Sequence, residues 1–296
     1  MSNDMIAMQT RRKLIGTLFT AESLFAAAQI AAFTLMPVIA TELSGRDSMA
    51  GFPTTAMLLG QAGAAFLIGS FMDRAGRRSG LTIGYLMATI GALLAAAAIC
   101  WSSFIAFCLG AAMIGMGRGA GLQARFAAAE IQPPDHQARA IGLIVFAGTI
   151  GAVAGPLLVA PSQQWAQAFG FSYRTGPYLI AMLLLYGAVV LTFALLRPDP
   201  MTVARETLGA PASTGAADAS TERSLWAIFT PAPVRLALAA MLVGQLVMVL
   251  VMVITPLHMT RASYSDAQIS LVMTGHTLGM FGLAALTGWL IDRVGR

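Results

Sequence analysis

Charge is scarce in this sequence. Of 296 residues only 10% are Asp, Glu, Lys or Arg, while 57% are hydrophobic. A soluble domain carries about 25% charged residues. So little charge cannot clothe a water-facing surface, and the solvent of this chain must be mostly lipid. Cysteine is nearly missing too: Cys100 and Cys108 lie at an apolar helix end and in the next helix, with no metal-ligand spacing, and read as small buried apolar residues. The three histidines, His136, His258 and His276, fall in different segments, so neither a metal cluster nor a nucleophile–base set is in view. There is no phosphate-binding glycine loop and no ATP motif, so any driving force must come from a gradient or from a substrate. No cofactor is implied. The formal net charge of +5 is spread over the ends of apolar runs, without a basic stripe and interleaved aromatics, which argues against nucleic acid and for anionic lipid.

What is present is a succession of apolar runs, each near the ~20 residues that cross a bilayer. Eight can be drawn, roughly 14–41, 52–72, 79–100, 103–124, 140–160, 176–196, 234–258 and 267–291. They must be helices, because hydrocarbon does not tolerate an unpaired backbone and the runs lack a barrel's alternation. Arg11-Arg12-Lys13 before the first run resembles the start of a signal peptide, but that run continues to Thr41 and many more follow, so an uncleaved first span is expected. With the N-terminus inside, fourteen Lys and Arg residues fall in inner segments and only Arg46, Arg174 and Arg261 in outer loops. Both ends of the chain are then cytoplasmic.

A charged hairpin, Gly69-Ser-Phe-Met-Asp73-Arg74-Ala-Gly76-Arg77-Arg78, separates the second and third runs. It returns as Gly288-Trp-Leu-Ile-Asp292-Arg293-Val-Gly295-Arg296, at a constant separation of 219 residues. Gly60 and Gly279, Gly63 and Gly282, and Pro37 and Pro256 repeat at the same distance. Six spans separate the copies, so the repeat is parallel, about an axis along the membrane normal, as in secondary transporters. Residues 1–196 read as a six-helix bundle, 197–230 as a flexible cytoplasmic linker of small polar residues, and 231–296 as the first two helices of a second bundle. Trp226 in the linker could anchor at the inner membrane face. Glycines four apart (115 and 119, 117 and 121, 151 and 155, 275 and 279) put small residues on one helix face, for static packing or for sliding surfaces.

Gly76 suits the left-handed residue that ends a helix, and Gly69 a close crossing. Asp73 stands at a helix C-terminus, where the dipole disfavours an anion. Arg74, Arg77 or another helix's N-terminus must stabilise it, which suggests a latch; a plain topology determinant is the alternative. Gly69-x-x-x-Asp73-Arg74-x-Gly76-Arg77-Arg78 resembles the signature loop of the major facilitator superfamily of transporters, and the second copy sits where that family carries a degenerate repeat. Gly142, Gly151, Gly155 and Pro156 in the fifth helix are similar to a motif of the drug/proton antiporter branches, although Val159 and Ala160 stand where that motif continues with two glycines. Arg118-x-x-Gly121 is loosely like the family's arginine motif. The resemblance implies an all-α membrane protein of two six-helix bundles that rock about a central site lined by helices one, four, seven and ten. It implies that Asp73, Arg74 and Arg77, with Glu130 as the acid of helix four, latch the outward-facing state, and that Gly288, Asp292, Arg293 and Gly295 form the second copy. The family has twelve helices, so the chain is expected to be C-terminally incomplete, with eight of them.

Intramembrane charge marks function. Outside the loops there is one acid, Glu22, and one base, Arg118. Glu22 lies about 13 Å inward from Lys13, and Arg118 about 10 Å inward from Arg125, at 1.5 Å per residue. They are expected to face each other across one cavity, with protonation of Glu22 coupled to substrate binding and Arg118 holding an anionic group or tuning the acid; a fixed structural pair is the alternative. Gln29, Gln61, Gln123 and Gln245 could bond a substrate or another helix, and Gln29 and Gln245 rank first by the resemblance. His276 could relay protons or be structural. Pro37 and Pro256 are expected to loosen the outer ends of their helices. Phe25, Phe33 and Phe126 could contact an apolar substrate. The expected activity is proton-coupled efflux of a small molecule across a bacterial inner membrane. Uptake of a small metabolite and a non-transporting membrane scaffold are the alternatives, and the oligomeric state is open.

Overall fold

The computed structural model describes residues 2–208 and 230–282, and among them every regular element is helical. Twelve α-helices follow in order: α1 Ser2–Thr34, α2 Met36–Ser44, α3 Phe52–Ala75, α4 Arg77–Cys100, α5 Phe104–Gly121, α6 Ala124–Glu130, α7 Gln137–Leu157, α8 Val159–Ala168, α9 Gly176–Leu195, α10 Pro200–Leu208, α11 Ala232–Arg261 and α12 Asp266–Gly282. Seven helical stretches in the described residues are long and apolar enough to cross a membrane. They match the first seven runs. The eighth run is seen as α12, and its remainder lies outside the described residues, as does the second charged hairpin.

Local chemistry sets the breaks. The first run is not one helix: α1 stops at Thr34 and Pro37 sits in the first turn of α2, where a missing N–H is harmless. Ser103 caps α5, its hydroxyl accepting from the Ala106 amide at 3.3 Å. The fourth run pauses after Gly121 and continues as α6 to Glu130. Pro156 lies in the last turn of α7, and α8 carries the chain on to Ala168, beyond the expected end of the fifth run. The region expected to be a flexible linker begins with an ordered helix, α10, while 209–229, including Trp226, lies outside the described residues.

α1 packs on α7 and α9, α4 on α5 and α9, and α3 on α5. Small residues allow this closeness. A Cβ on Gly115 would collide with the Met57 carbonyl, and one on Gly117 would lie 2.8 Å from the Gly84 carbonyl oxygen. Between the helices are Phe25 on Tyr85 (ring centroids 5.3 Å apart) and Phe107 on Tyr178 (5.4 Å), all four fully buried. The outer surface is apolar instead: Phe66 is 78% exposed, Ile105 74% and Leu236 72%. Such a surface belongs in lipid. α11 leans on α2, and α12 packs on α7 and α8, which joins the helices after residue 230 to those before it.

Candidate functional site

Three polar clusters lie along the bundle. The first is at the hairpin. Gly76 takes φ +90° and ψ 159°, and this one residue both ends α3 and starts α4. Arg77, one residue on, turns its buried side chain to two acids. Its Nη1 donates to Asp73 Oδ1 at 3.0 Å, its Nη2 to Glu130 Oε1 at 2.6 Å and its Nε to Glu130 Oε2 at 3.0 Å. The anion at the wrong end of α3 is thus neutralised by a cation one turn away on α4. Arg74 is exposed and forms no ion pair among the described residues. Gly69 does not make the close crossing expected of it: the nearest atom to a Cβ there is Gln123 Nε2, 4.0 Å away.

A residue that sequence reasoning missed completes this cluster. Asp199 accepts from the Arg77 and Arg78 amides (3.2 and 2.9 Å) and from the Met201 amide (2.9 Å). Its carboxylate therefore caps the N-terminus of α4, where the helix dipole favours an anion, and sits where a Cβ on Gly76 would be. Arg78 donates through Nε to the Phe193 carbonyl at 3.1 Å and lies over the Phe193 ring at 5.0 Å. The only sequence signal for Asp199 was an acid between two prolines just past a span.

The second cluster is central. Glu22 on α1 and Arg118 on α5 meet, with Nη1 3.5 Å from Oε1. The carboxylate is buried and its Oε2 has no partner. It is wedged between Gly121 and Gly148: a Cβ on either would come within 3.6 and 3.4 Å of its oxygens, and the Gly121 position is also 3.6 Å from the Tyr85 ring. The Tyr85 hydroxyl and Arg125 Nε are likewise buried without partners. Glu22, Gln29, Arg118 and Arg125 line a hollow of about 190 Å³. A second hollow, about 450 Å³, shares Gln29, Ile30 and Arg118 with it and is lined further by Gln61 on α3 and Gln245 on α11. Phe33 lines it, whereas Phe25 is packed on Tyr85 and Phe126 lies under Arg125, 5.1 Å from the guanidinium. Neither Tyr85 nor Arg125 was singled out by sequence, since a tyrosine in an apolar run and an arginine at a span end are both ordinary.

The third cluster lies at the end opposite the hairpin. Arg174, before α9, donates through Nη2 to Glu42 Oε1 (2.5 Å) and through Nη1 to Asp266 Oδ2 (2.8 Å), which also accepts from Gln163 Nε2 (2.6 Å). Asp266 is the first residue of α12. Arg261 and Asp47 form a second, exposed pair between α11 and the α2–α3 loop. The sequence marked Arg174 only as one of three cations in outer loops.

The remaining expected residues are scattered. Gly151 and Gly155 press α7 against α1, whose Ser23 and Ala27 carbonyls a Cβ would strike, whereas Gly142 faces open space and Pro156 is buried in the last turn of α7. Gly275 and Gly279 also face open space. The His276 Nε2 is buried and unpartnered among the described residues. Pro256 lies inside α11 without ending it. Gly288, Asp292, Arg293 and Gly295 lie outside the described residues. No cluster of three potential metal ligands occurs among the described residues.

A family model described as the Major Facilitator Superfamily matches residues 18–296. Relatives include an uncharacterized MFS-type transporter, YdeG, of Bacillus subtilis, 34% identical over 92% of this chain and 63% of its own length. A second from the same organism, YddS, is 30% identical over 90% and 61%. The riboflavin transporter RfnT of Brucella anthropi is 28% identical over 98% and 69%. The chain thus spans less than two thirds of the length of the first two. Among solved structures, a D-xylose–proton symporter matches with a TM-score of 0.61 at 15% identity, over 98% of this chain and 69% of that one, which is a likeness of fold.

Proposed function

The chain belongs to the major facilitator superfamily, and from that premise we propose that the protein is a proton-coupled secondary transporter that exports a small organic solute by alternating access. The observation that carries this reading is the Glu22–Arg118 pair. It sets a carboxylate with a free oxygen, and the cation nearest to it, on the wall of one central cavity. A hydrogen-bond donor of a substrate and a proton compete for the free Glu22 oxygen, so substrate and proton displace one another. That exchange is what antiport requires.

By the distribution of Lys and Arg, the hairpin end is cytoplasmic and the Arg174 end external, in a bacterial inner membrane. The external end bonds the two units together, so this conformation is the inward-facing one. The Asp73–Arg77–Glu130 cluster, closed in this conformation, braces the hairpin that latches the second unit in the opposite state, and α7 rocks on α1 across Gly151 and Gly155.

The test uses inverted membrane vesicles containing the natural full-length protein, with riboflavin, pterin-6-carboxylate and ethidium as probes. Proton-driven accumulation of at least one probe is expected, abolished by a protonophore and made pH-independent by Glu22→Gln. Accumulation of none, or accumulation indifferent to both treatments, rejects the proposal.

A further inference from the structure

The two central hollows differ in chemistry, and together they describe a ligand. Resting on the transporter reading above, we propose that the cavity selects a flat heteroaromatic solute with an amide or imide edge at one end and a single anionic group at the other.

At the wider end, Gln29, Gln61 and Gln245 come from α1, α3 and α11 and converge on one space of about 450 Å³. None is hydrogen-bonded within the described residues. A primary amide presents a donor and an acceptor side by side. Its complement is an N–H beside a C=O, the edge of a lactam or imide ring. The walls between the amides carry four thioethers, those of Met57, Met248, Met252 and Met280. Thioether sulfur lies favourably against aromatic rings, by roughly 0.3–1.5 kcal/mol each, and unbranched methionine adapts to a flat guest. A sugar would satisfy the amides but would set hydroxyl groups against these sulfurs.

The narrower end carries Arg118 and Arg125 against the single acid Glu22, and Arg125 Nε is buried without a partner. Two cations facing one carboxylate leave a positive charge over, one of them within the span and the other at its inner end, which a ligand's anion neutralises. Arg118 and Gln29 line both ends, so one molecule can reach from amides to guanidinium groups.

The experiment titrates the natural full-length protein in detergent into pterin-6-carboxylate, a fluorescent lactam with one carboxylate, and into pterin, which lacks it. Saturable fluorescence change is expected for both, with pterin weaker by about 10-fold, the scale of one charge-assisted hydrogen bond. Arg125→Gln should remove that 10-fold advantage without weakening pterin. Gln61→Leu and Gln245→Leu should weaken both probes by about 5-fold each. Thermal unfolding midpoints equal to that of the unmodified protein verify that each variant is folded. Equal affinity for the two pterins, failure of both to bind, or displacement by equimolar D-xylose overturns the inference. Pterin binding without proton-driven flux would sink the transport reading and leave this one standing. Ethidium flux without pterin binding would do the reverse.

Discussion

Arg174 Nη1 lies 2.8 Å from Asp266 Oδ2, and the two side chains are only 10% and 15% exposed. One residue precedes α9 and the other opens α12, so this guanidinium ties the helices after residue 230 to those before it, beside the exposed Arg261–Asp47 pair. Glu42 accepts from the other arm of the guanidinium, and Gln163 donates to the same Asp266 oxygen.

Removing that cation should release the external end. Breaking a well-buried ion pair costs about 3–5 kcal/mol; partial exposure of Glu42 reduces this to about 2 kcal/mol, or roughly 30-fold in a two-state equilibrium. In a background with Cys100 and Cys108 replaced by Ser, a Gln245→Cys reporter should react with an impermeant external maleimide at least 10-fold faster when Arg174→Gln is added. Unchanged labelling would show that the contact does not hold the external end closed.

At the hairpin, Arg77 joins Glu130 through three hydrogen bonds. A double-mutant cycle of Arg77→Gln and Glu130→Gln should give a coupling of about 1–3 kcal/mol in unfolding free energy. Asp73→Asn should couple to Arg77→Gln more weakly, since Asp73 is 45% exposed and shares one bond. Additive effects for the Arg77–Glu130 pair would remove it from the stability of the hairpin.

Asp199→Ala removes the cap of α4 and should lower stability by about 1–2 kcal/mol. Asp199→Asn keeps an acceptor oxygen and should lose less. Gly76→Ala drives a Cβ into the same carboxylate at φ +90° and should destabilise comparably. Thermal unfolding followed by tryptophan fluorescence would order the three. An Asn variant as damaged as the Ala variant would make the charge, not the cap, the important feature.

Two glycines of one motif should behave oppositely. Gly151→Ala places a methyl against the Ser23 carbonyl of α1 and should cost about 1–3 kcal/mol, as overpacking does. Gly142→Ala enters open space and should be neutral or slightly stabilising. Equal tolerance at both positions would show that α1 and α7 separate easily at this crossing.

Much of this was legible in the one-dimensional pattern. The spans announced themselves, because a bilayer demands long apolar helices and tolerates little else. Asp73 was marked by its place against its own helix dipole, and Glu22 with Arg118 by charge inside apolar runs. Counting 1.5 Å per residue from the nearest end charge set both at one depth, and the structure brings them to 3.5 Å. Gly69 misled, because a glycine beside a charged turn looks the same whether or not a second backbone approaches it.

The sequence by itself determined the membrane-crossing stretches, their number before residue 197 and the two charged positions at mid-depth, since each follows from local hydropathy and spacing. Only the tertiary structure decided the partners of Arg174, the capping of α4 by Asp199, 122 residues beyond Arg77, and the meeting of three glutamines in one cavity. Those contacts depend on how distant helices rotate and cross. Rotation and crossing are set by small residues packing backbone against backbone, and no single run of sequence carries that information.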